Sequence, residues 1–228
     1  MRSPADAHRA VVATASAAVM GFLSAHAGAA DPSRTRTTDG NEDTSYGRIQ
    51  GDLAIVGGAG ITVAPRGPRG TFDARVRYLE TIGFFASYED AALLGSGSDP
   101  ARVFSAGLEL RPLFLGRWLT GNETGLGRVD LMLDSIGVEL GAVFAQPVGL
   151  SFTARPGAQA GLGFEIPLLA EATGPWIAFH GGLRWSDAAL SYGTVDSALD
   201  REAFVSVTLA WHQIVLAHVV DVGDRPAR

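Results

Sequence analysis

The stretch FTARPGAQAGLGFEI, Phe152 to Ile166, decides the fold. Its even positions, Phe152, Ala154, Pro156, Ala158, Ala160, Leu162, Phe164 and Ile166, are all apolar, whereas Thr153, Arg155, Gly157, Gln159, Gly161, Gly163 and Glu165 between them are polar or glycine. A period of two belongs to a strand, because a helix would scatter both sets around its circumference. The same alternation recurs at 101–113, where Phe104, Ala106, Leu108 and Leu110 oppose Ser105, Gly107, Glu109 and Arg111. In 174–186, Ile177, Phe179, Leu183 and Trp185 oppose Ala178, His180, Gly182 and Arg184, and in 204–212, Val205, Val207, Leu209 and Trp211 oppose Ser206, Thr208, Ala210 and His212.

Weaker alternation runs through 51–63 and through 71–90, where Phe72, Ala74, Val76 and Tyr78 oppose Asp73, Arg75 and Arg77. The phase does not flip at Leu79 to Thr81, so 71–90 is one long strand or a hairpin with a three-residue turn. Residues 129–144 alternate cleanly only after Ser135, with Asp134 out of phase, which indicates a bulge or a short helical turn before it. Turn signals separate these runs at 65–70, 95–100, 120–125, 146–149, 173–175 and 186–202. Splitting at 79–81 gives about eight strands.

Composition narrows the class. The chain has 228 residues, 46% hydrophobic and only 18% charged, with 29 Gly, no Cys and a formal net charge of -6. Lack of Cys excludes disulfide scaffolds, Cys-ligated metals and thiol nucleophiles, and the acidic balance argues against a nucleic-acid partner. Arg2 and Arg9, the uncharged run from Ala10 to Ala25 and the small residues Ala27-Gly28-Ala29 read as a signal peptide over 1–29, cleaved before Ala30. Residues 30–50 read as a flexible periplasmic lead-in, 51–220 as the barrel and 221–228 as a polar tail. The length left after such a signal suits eight strands and is too short for a sixteen-stranded porin.

The polar face says where the apolar face points. It carries isolated charges in mid-strand with glycine between them, unlike the Lys- and Ser-rich outer face of a soluble sandwich. The expectation is a crowded polar lumen formed by Arg75, Arg77, Glu109, Arg111, Glu139, Arg155, Gln159, Glu165, His180, Arg184 and His212, with Asp73 among them. The lipid-facing set is Phe104, Leu108, Leu162, Phe164, Phe179, Trp185, Leu209 and Trp211. The predicted class is all-β, an up-and-down antiparallel transmembrane barrel.

On these features the chain, over roughly 51–220, resembles the small outer-membrane β-barrel proteins of diderm bacteria, of the kind exemplified by the OmpA transmembrane domain. The segments Gly107-Leu108-Glu109-Leu110-Arg111-Pro112-Leu113-Phe114-Leu115 and Gly137-Val138-Glu139-Leu140-Gly141 look like those of uncharacterised barrels of this kind. The resemblance implies outer-membrane lipids as surroundings, periplasmic chaperones and the barrel assembly machinery as partners in biogenesis, and no activity. Such barrels usually end on an aromatic; here the last residues are Asp224-Arg225-Pro226-Ala227-Arg228, so the assembly signal is internal, around Leu209 to Trp211, or the outer-membrane reading fails.

The remaining features are read as structural. His180, oriented by Glu165, or His212 could serve a hydrolase at the barrel rim, yet no motif marks a nucleophile, and lumen hydrogen bonding is the preferred role. Gly57-Gly58-Ala59-Gly60 lacks the Lys-Ser/Thr of a phosphate loop. Residues 187–202, holding Asp187, Tyr192, Asp196, Asp200 and Glu202, read as a solvated loop, and no metal or cofactor is expected. Ala203 to Val220 is long enough for a transmembrane helix but alternates as a strand. The function expected is structural or surface-interacting; the alternatives are a narrow channel or lipid carrier, and a soluble periplasmic lipocalin-like barrel with its apolar face inward.

Overall fold

A computed structural model describes residues 46–48, 51–192 and 201–217. Eight strands, β1 (Leu53–Ala64), β2 (Gly67–Tyr78), β3 (Ile82–Asp90), β4 (Arg102–Leu110), β5 (Gly137–Gln146), β6 (Gly157–Pro167), β7 (Gly174–Trp185) and β8 (Arg201–Val215), each pair antiparallel with the next. β8 pairs with β1 and closes the sheet into an up-and-down barrel, leaving no free edge. Among the described residues three helices interrupt the pattern: α1 (Leu113–Thr120) and α2 (Gly127–Asp134) between β4 and β5, and α3 (Asp187–Tyr192) after β7. A short 3-10 turn, Ala91–Leu94, follows β3.

The turn chemistry explains the register. Tyr78 faces Ile82, so Leu79, Glu80 and Thr81 form a three-residue hairpin loop, and the Thr81 N–H donates to the Tyr78 carbonyl at 3.0 Å. Leu79 and Glu80 take positive φ, which lets three residues reverse the chain without a change of phase. The β1–β2 connection is only Pro65-Arg66, since Ala64 already faces Gly67; the turn read across 65–70 is therefore too long, and Arg69 belongs to β2. The expected signal (1–29), most of the lead-in and the polar tail lie outside the described residues.

Two further expectations are corrected, and the choice between a bulge and a helical turn before Ser135 is decided for the helix. Residues 152–156 are not strand: β6 begins at Gly157, after Pro156, which has no N–H to donate to a ladder. The out-of-phase stretch before Ser135 is a true helix, with Asp130, Leu131 and Asp134 buried on one side at helical spacing. The loop assigned to 187–202 ends sooner, because β8 starts at Arg201.

The two faces of the sheet differ completely. Alternate residues of every strand point outward, and between the strand ends that face holds no charged side chain among the described residues; Asp90, Arg102 and Arg201 stand at the ends. Large apolar groups are exposed there all round, Leu140 60%, Leu162 64% and Leu209 62%. Aromatics sit toward both ends: Phe72, Tyr88, Phe104 and Phe144 in cross-strand register on one side, Tyr78 and Trp211 on the other.

Candidate functional site: the charged lumen and its cap

The inward face carries buried ion pairs in three tiers, interleaved with the apolar side chains of Val56, Phe85, Val103, Val143, Trp176 and Phe204. At the end bearing the β1–β2 turn, Arg69 donates to Glu89 (2.9 Å) and Glu202 (3.1 Å), and Arg184 donates to Glu89 (2.5 Å) and to the Gln159 side-chain oxygen (2.8 Å). Arg184 also lies over the Phe204 ring at 3.9 Å. In the middle tier Arg75 donates to Asp73 (2.7 Å) and Glu139 (2.5 Å), and His180 Nδ1 lies 2.8 Å from Glu139 Oε1. In the third tier Arg77 bridges Glu109 (2.9 Å) and Glu165 (2.8 Å), Arg111 reaches Glu109 (2.6 Å) and Glu165 (2.7 Å), and His212 Nε2 lies 3.1 Å from Glu165. Glu80 closes that tier from the β2–β3 turn, 3.6 Å from Arg77 and 3.7 Å from Arg111. Burial pushes the Glu80 carboxyl up, but the neighbouring His212 and the Arg77 and Arg111 charges outweigh this and hold it below its ordinary value.

Glycines on the inner face make room for these long side chains. A Cβ on Gly163 would stand 2.4 Å from His180 Nδ1, and one on Gly83 would stand 3.0 Å from Arg77 Cγ. The space that remains is small: a cavity of about 20 Å³ among Asp73, Arg75, Glu89, Glu139, His180 and Arg184, room for roughly one water molecule.

The end that carries both termini of the barrel is capped. Phe114 of α1 and Leu131 of α2 are buried, Leu131 against Ala172 and Trp176, and the Trp176 indole N–H donates to the Ala172 carbonyl. Arg48 enters the cap from the N-terminal side, pairs with Asp134 and Glu123, and lies over the Phe114 ring at 4.0 Å. Arg117 pairs with Asp130 and Asp134. Burial raises the Asp130 carboxyl, yet hydrogen bonds from the Thr124 N–H, Arg117 and Tyr46 outweigh it and lower it overall. Burial, the hydrogen bond to Asp130 and that carboxylate's charge push the Tyr46 phenol up to about 12. Tyr46 and Arg48 are thus packed, although the sequence places them in a free lead-in.

Of the expected lumen residues, Arg75, Arg77, Glu109, Arg111, Glu139, Gln159, Glu165, His180, Arg184 and His212 are buried inside. Arg155 is not: it stands exposed in the β5–β6 loop, because the apolar alternation runs on past the end of the strand. His180 meets Glu139 rather than Glu165, whose imidazole neighbour is His212. Glu202, read as part of a solvated loop, is buried against Arg69. Phe104, Leu108, Leu162, Phe164, Phe179, Trp185, Leu209 and Trp211 all project from the outer face, Phe164 stacked on Phe179 at 4.9 Å.

Sequence reasoning passed over Arg69, Glu80, Glu89 and Glu202. Arg69 and Glu89 continue the inward phase of their strands, and a stricter extension of the alternation finds both; Arg69 is masked by the Pro and Gly around it. Glu80 sits in a turn, where phase is undefined. Ser206 faces His180 across the β7–β8 ladder, but Ser206, His180 and Glu139 enclose no space for a substrate beyond that small cavity.

No family model and no curated protein sequence matches this chain. What the geometry defines is a class: a closed eight-stranded antiparallel barrel with an apolar exterior, an interior filled by ion pairs and a helical cap.

Proposed function

We propose that the protein is an outer-membrane barrel with a filled lumen, serving a structural or surface-interaction role in the cell envelope and conducting little or nothing. The observation that carries this reading is the outward face, uncharged between the strand ends around the whole barrel. In water such a belt would be a severe aggregation hazard; in hydrocarbon it is the requirement. Strands of nine to fifteen residues, rising ~3.4 Å per residue at the ~40° tilt of small barrels, cover the ~25 Å apolar band of a membrane barrel. Aromatics toward both ends fit its two interfaces. The lipocalin-like alternative asks for the reverse arrangement, an apolar lumen and a polar exterior. Outer-membrane lipids are then the surroundings, with periplasmic chaperones and the barrel assembly machinery needed for insertion.

The absence of Cys makes the test clean. Single Cys residues at Leu162, Leu209 and Leu150 are spin-labelled in the protein reconstituted in phospholipid bilayers. The labels at 162 and 209 are expected to collide with dissolved oxygen and not with a water-soluble nickel chelate, and the label at 150, in the β5–β6 loop, to do the reverse. Free access of the chelate to 162 and 209 overturns the proposal.

A further inference from the structure

The helical hairpin between β4 and β5 is built with its polarity reversed. A helix whose outer side meets water turns its leucines inward and its charged groups outward. α1 carries a single charged residue, Arg117, and that side chain turns in to pair with Asp130 at 2.5 Å and Asp134 at 2.7 Å on α2. The hairpin's other acid, Glu123, is also turned in, to Arg48. Leu113, Gly116 and Leu119, one face of α1 at helical spacing, are left exposed, Leu119 at 73%, and Leu126 beyond the loop stands at 63%. Of the charged residues in 112–135 only Arg128 is exposed. The barrel wall shows the same inversion. Exposed apolar area is unfavourable in water, whereas against hydrocarbon leucines belong outside and ion pairs inside.

The polar groups at the end of α1 are closed off in the same way. The Thr120 hydroxyl donates back to the Gly116 carbonyl at 2.7 Å, and the Gly121 and Asn122 N–H groups donate to the Trp118 and Arg117 carbonyls at 3.2 and 2.9 Å. A helix end away from water needs its carbonyls answered from within. Trp118, half-buried with its ring 6.3 Å from that of Phe114, is of the residue type that membrane interfaces favour. What covers the exposed face follows from where the hairpin leaves the barrel. Leu110, the last residue of β4, stands exposed in the apolar belt, and Leu113 comes three residues later. On the return, Ile136 and Val138 stand exposed at the start of β5. α1, eight residues and ~12 Å long, therefore starts at the rim of the belt. The one exposed charge, Arg128, is a cation, the sign that suits lipid phosphate.

We infer that α1 is an interfacial anchor: the face made by Leu113, Gly116 and Leu119 is seated in the headgroup region of the leaflet on the side of the chain termini, so that the membrane as well as the barrel holds the cap in place. The occupant of this surface is phospholipid, because the face prolongs the lipid-facing belt. This assignment rests on the membrane reading of the barrel proposed above, and the experiment separates the two.

The full chain, carrying Leu119→Cys or Leu162→Cys and spin-labelled there, is reconstituted in vesicles of phosphatidylcholine and phosphatidylglycerol. Collisions with oxygen and with a water-soluble nickel chelate read the surroundings of each label: lipid admits oxygen and excludes the chelate, water admits the chelate, and packed protein restricts both. The label at 162 is the reference for the belt. The label at 119 is expected to meet oxygen and not the chelate, at a depth of about 5 to 10 Å inside the headgroup boundary. Free access of the chelate to 119 with 162 protected overturns the inference and leaves the membrane reading standing; access to both overturns both. A label at 119 shielded from both reagents means that protein, such as a second copy of this chain, covers α1, and this too overturns the inference. If Leu119→Cys does not fold, a chain with Trp118 as its only tryptophan decides. In vesicles of phospholipid brominated near the top of the acyl chains its emission should fall about twofold relative to unbrominated lipid, and unchanged emission sinks the inference.

Discussion

Glu89→Gln is the sharpest probe of the filled lumen. Glu89 is almost fully buried and is shared by Arg69 at 2.9 Å and Arg184 at 2.5 Å, with Glu202 as the other carboxylate of that tier at 3.1 and 3.8 Å. At an effective dielectric of about 20 each close pair is worth ~6 kcal/mol of gross attraction, most of which offsets the desolvation of three buried ions. Removing the shared charge leaves two buried guanidinium groups with one carboxylate, Glu202, between them, and leaving a buried charge uncompensated costs about 3 to 5 kcal/mol. With a urea dependence near 2 kcal/mol per molar, the unfolding midpoint should fall by roughly 1.5 M or more. Chemical unfolding of the micelle-bound protein, followed by tryptophan fluorescence and far-ultraviolet circular dichroism, measures it. A midpoint shift below about 0.3 M with an unchanged slope would refute the reasoning, because the ion pairs would then be solvated or dispensable.

Other consequences are equally direct. Leu162→Arg places a charge in the middle of the apolar belt and is expected to cost ~2 to 4 kcal/mol of membrane stability, read as loss of the protein from the membrane fraction; normal recovery there contradicts the membrane reading. A Cβ on Gly60 would stand 1.9 Å from the Val207 carbonyl oxygen across the β1–β8 seam, so Gly60→Ala should lower stability by about 1 to 3 kcal/mol in the same unfolding assay. The cap has a pH window. Asp130, lowered in the fold, stabilises above its ordinary value and loses that contribution as pH falls through the folded one, while Tyr46, raised to about 12, stabilises below its ordinary value and loses its share as pH rises through about 12. Asp130→Asn should abolish the acid limb, measured by the emission of Trp118 on α1 in a chain with its other tryptophans replaced by phenylalanine. Planar-bilayer recordings should be silent, since the cavity at the centre holds about one water; steady ohmic conductance would mean that the ion-pair tiers open.

Much of this protein is legible in its residues alone. Alternation is a local property of the chain, set by the two-residue repeat of a strand, so Phe152 to Ile166 and its counterparts specify β structure, a polar and an apolar face, and about eight crossings. The same locality explains the errors. Alternation carries no end marker, so it ran through Arg155 into a loop and stopped short of Arg69 and Glu89. Glu80 and Glu202 lie at a turn and at a strand start, where hydropathy is silent about which way a side chain points. The helices α1 and α2 left only a break of phase at Asp134, because two short helices flanked by glycine carry little periodicity.

Only closure of the sheet could decide the rest. Which carboxylate meets which guanidinium depends on the register and stagger of non-adjacent strands: Arg77 finds Glu165, and Arg184 finds Glu89, across the lumen rather than along the sequence. The charge balance of the interior is likewise a property of the closed barrel. Read from the chain it looked near neutral; once Arg155 is outside and Arg69, Glu80, Glu89 and Glu202 are inside, it holds two more carboxylates than guanidinium groups. Sequence sets what each face is made of, because facing is local; tertiary structure sets which charges share the same low-dielectric space, because that is a matter of distance in three dimensions.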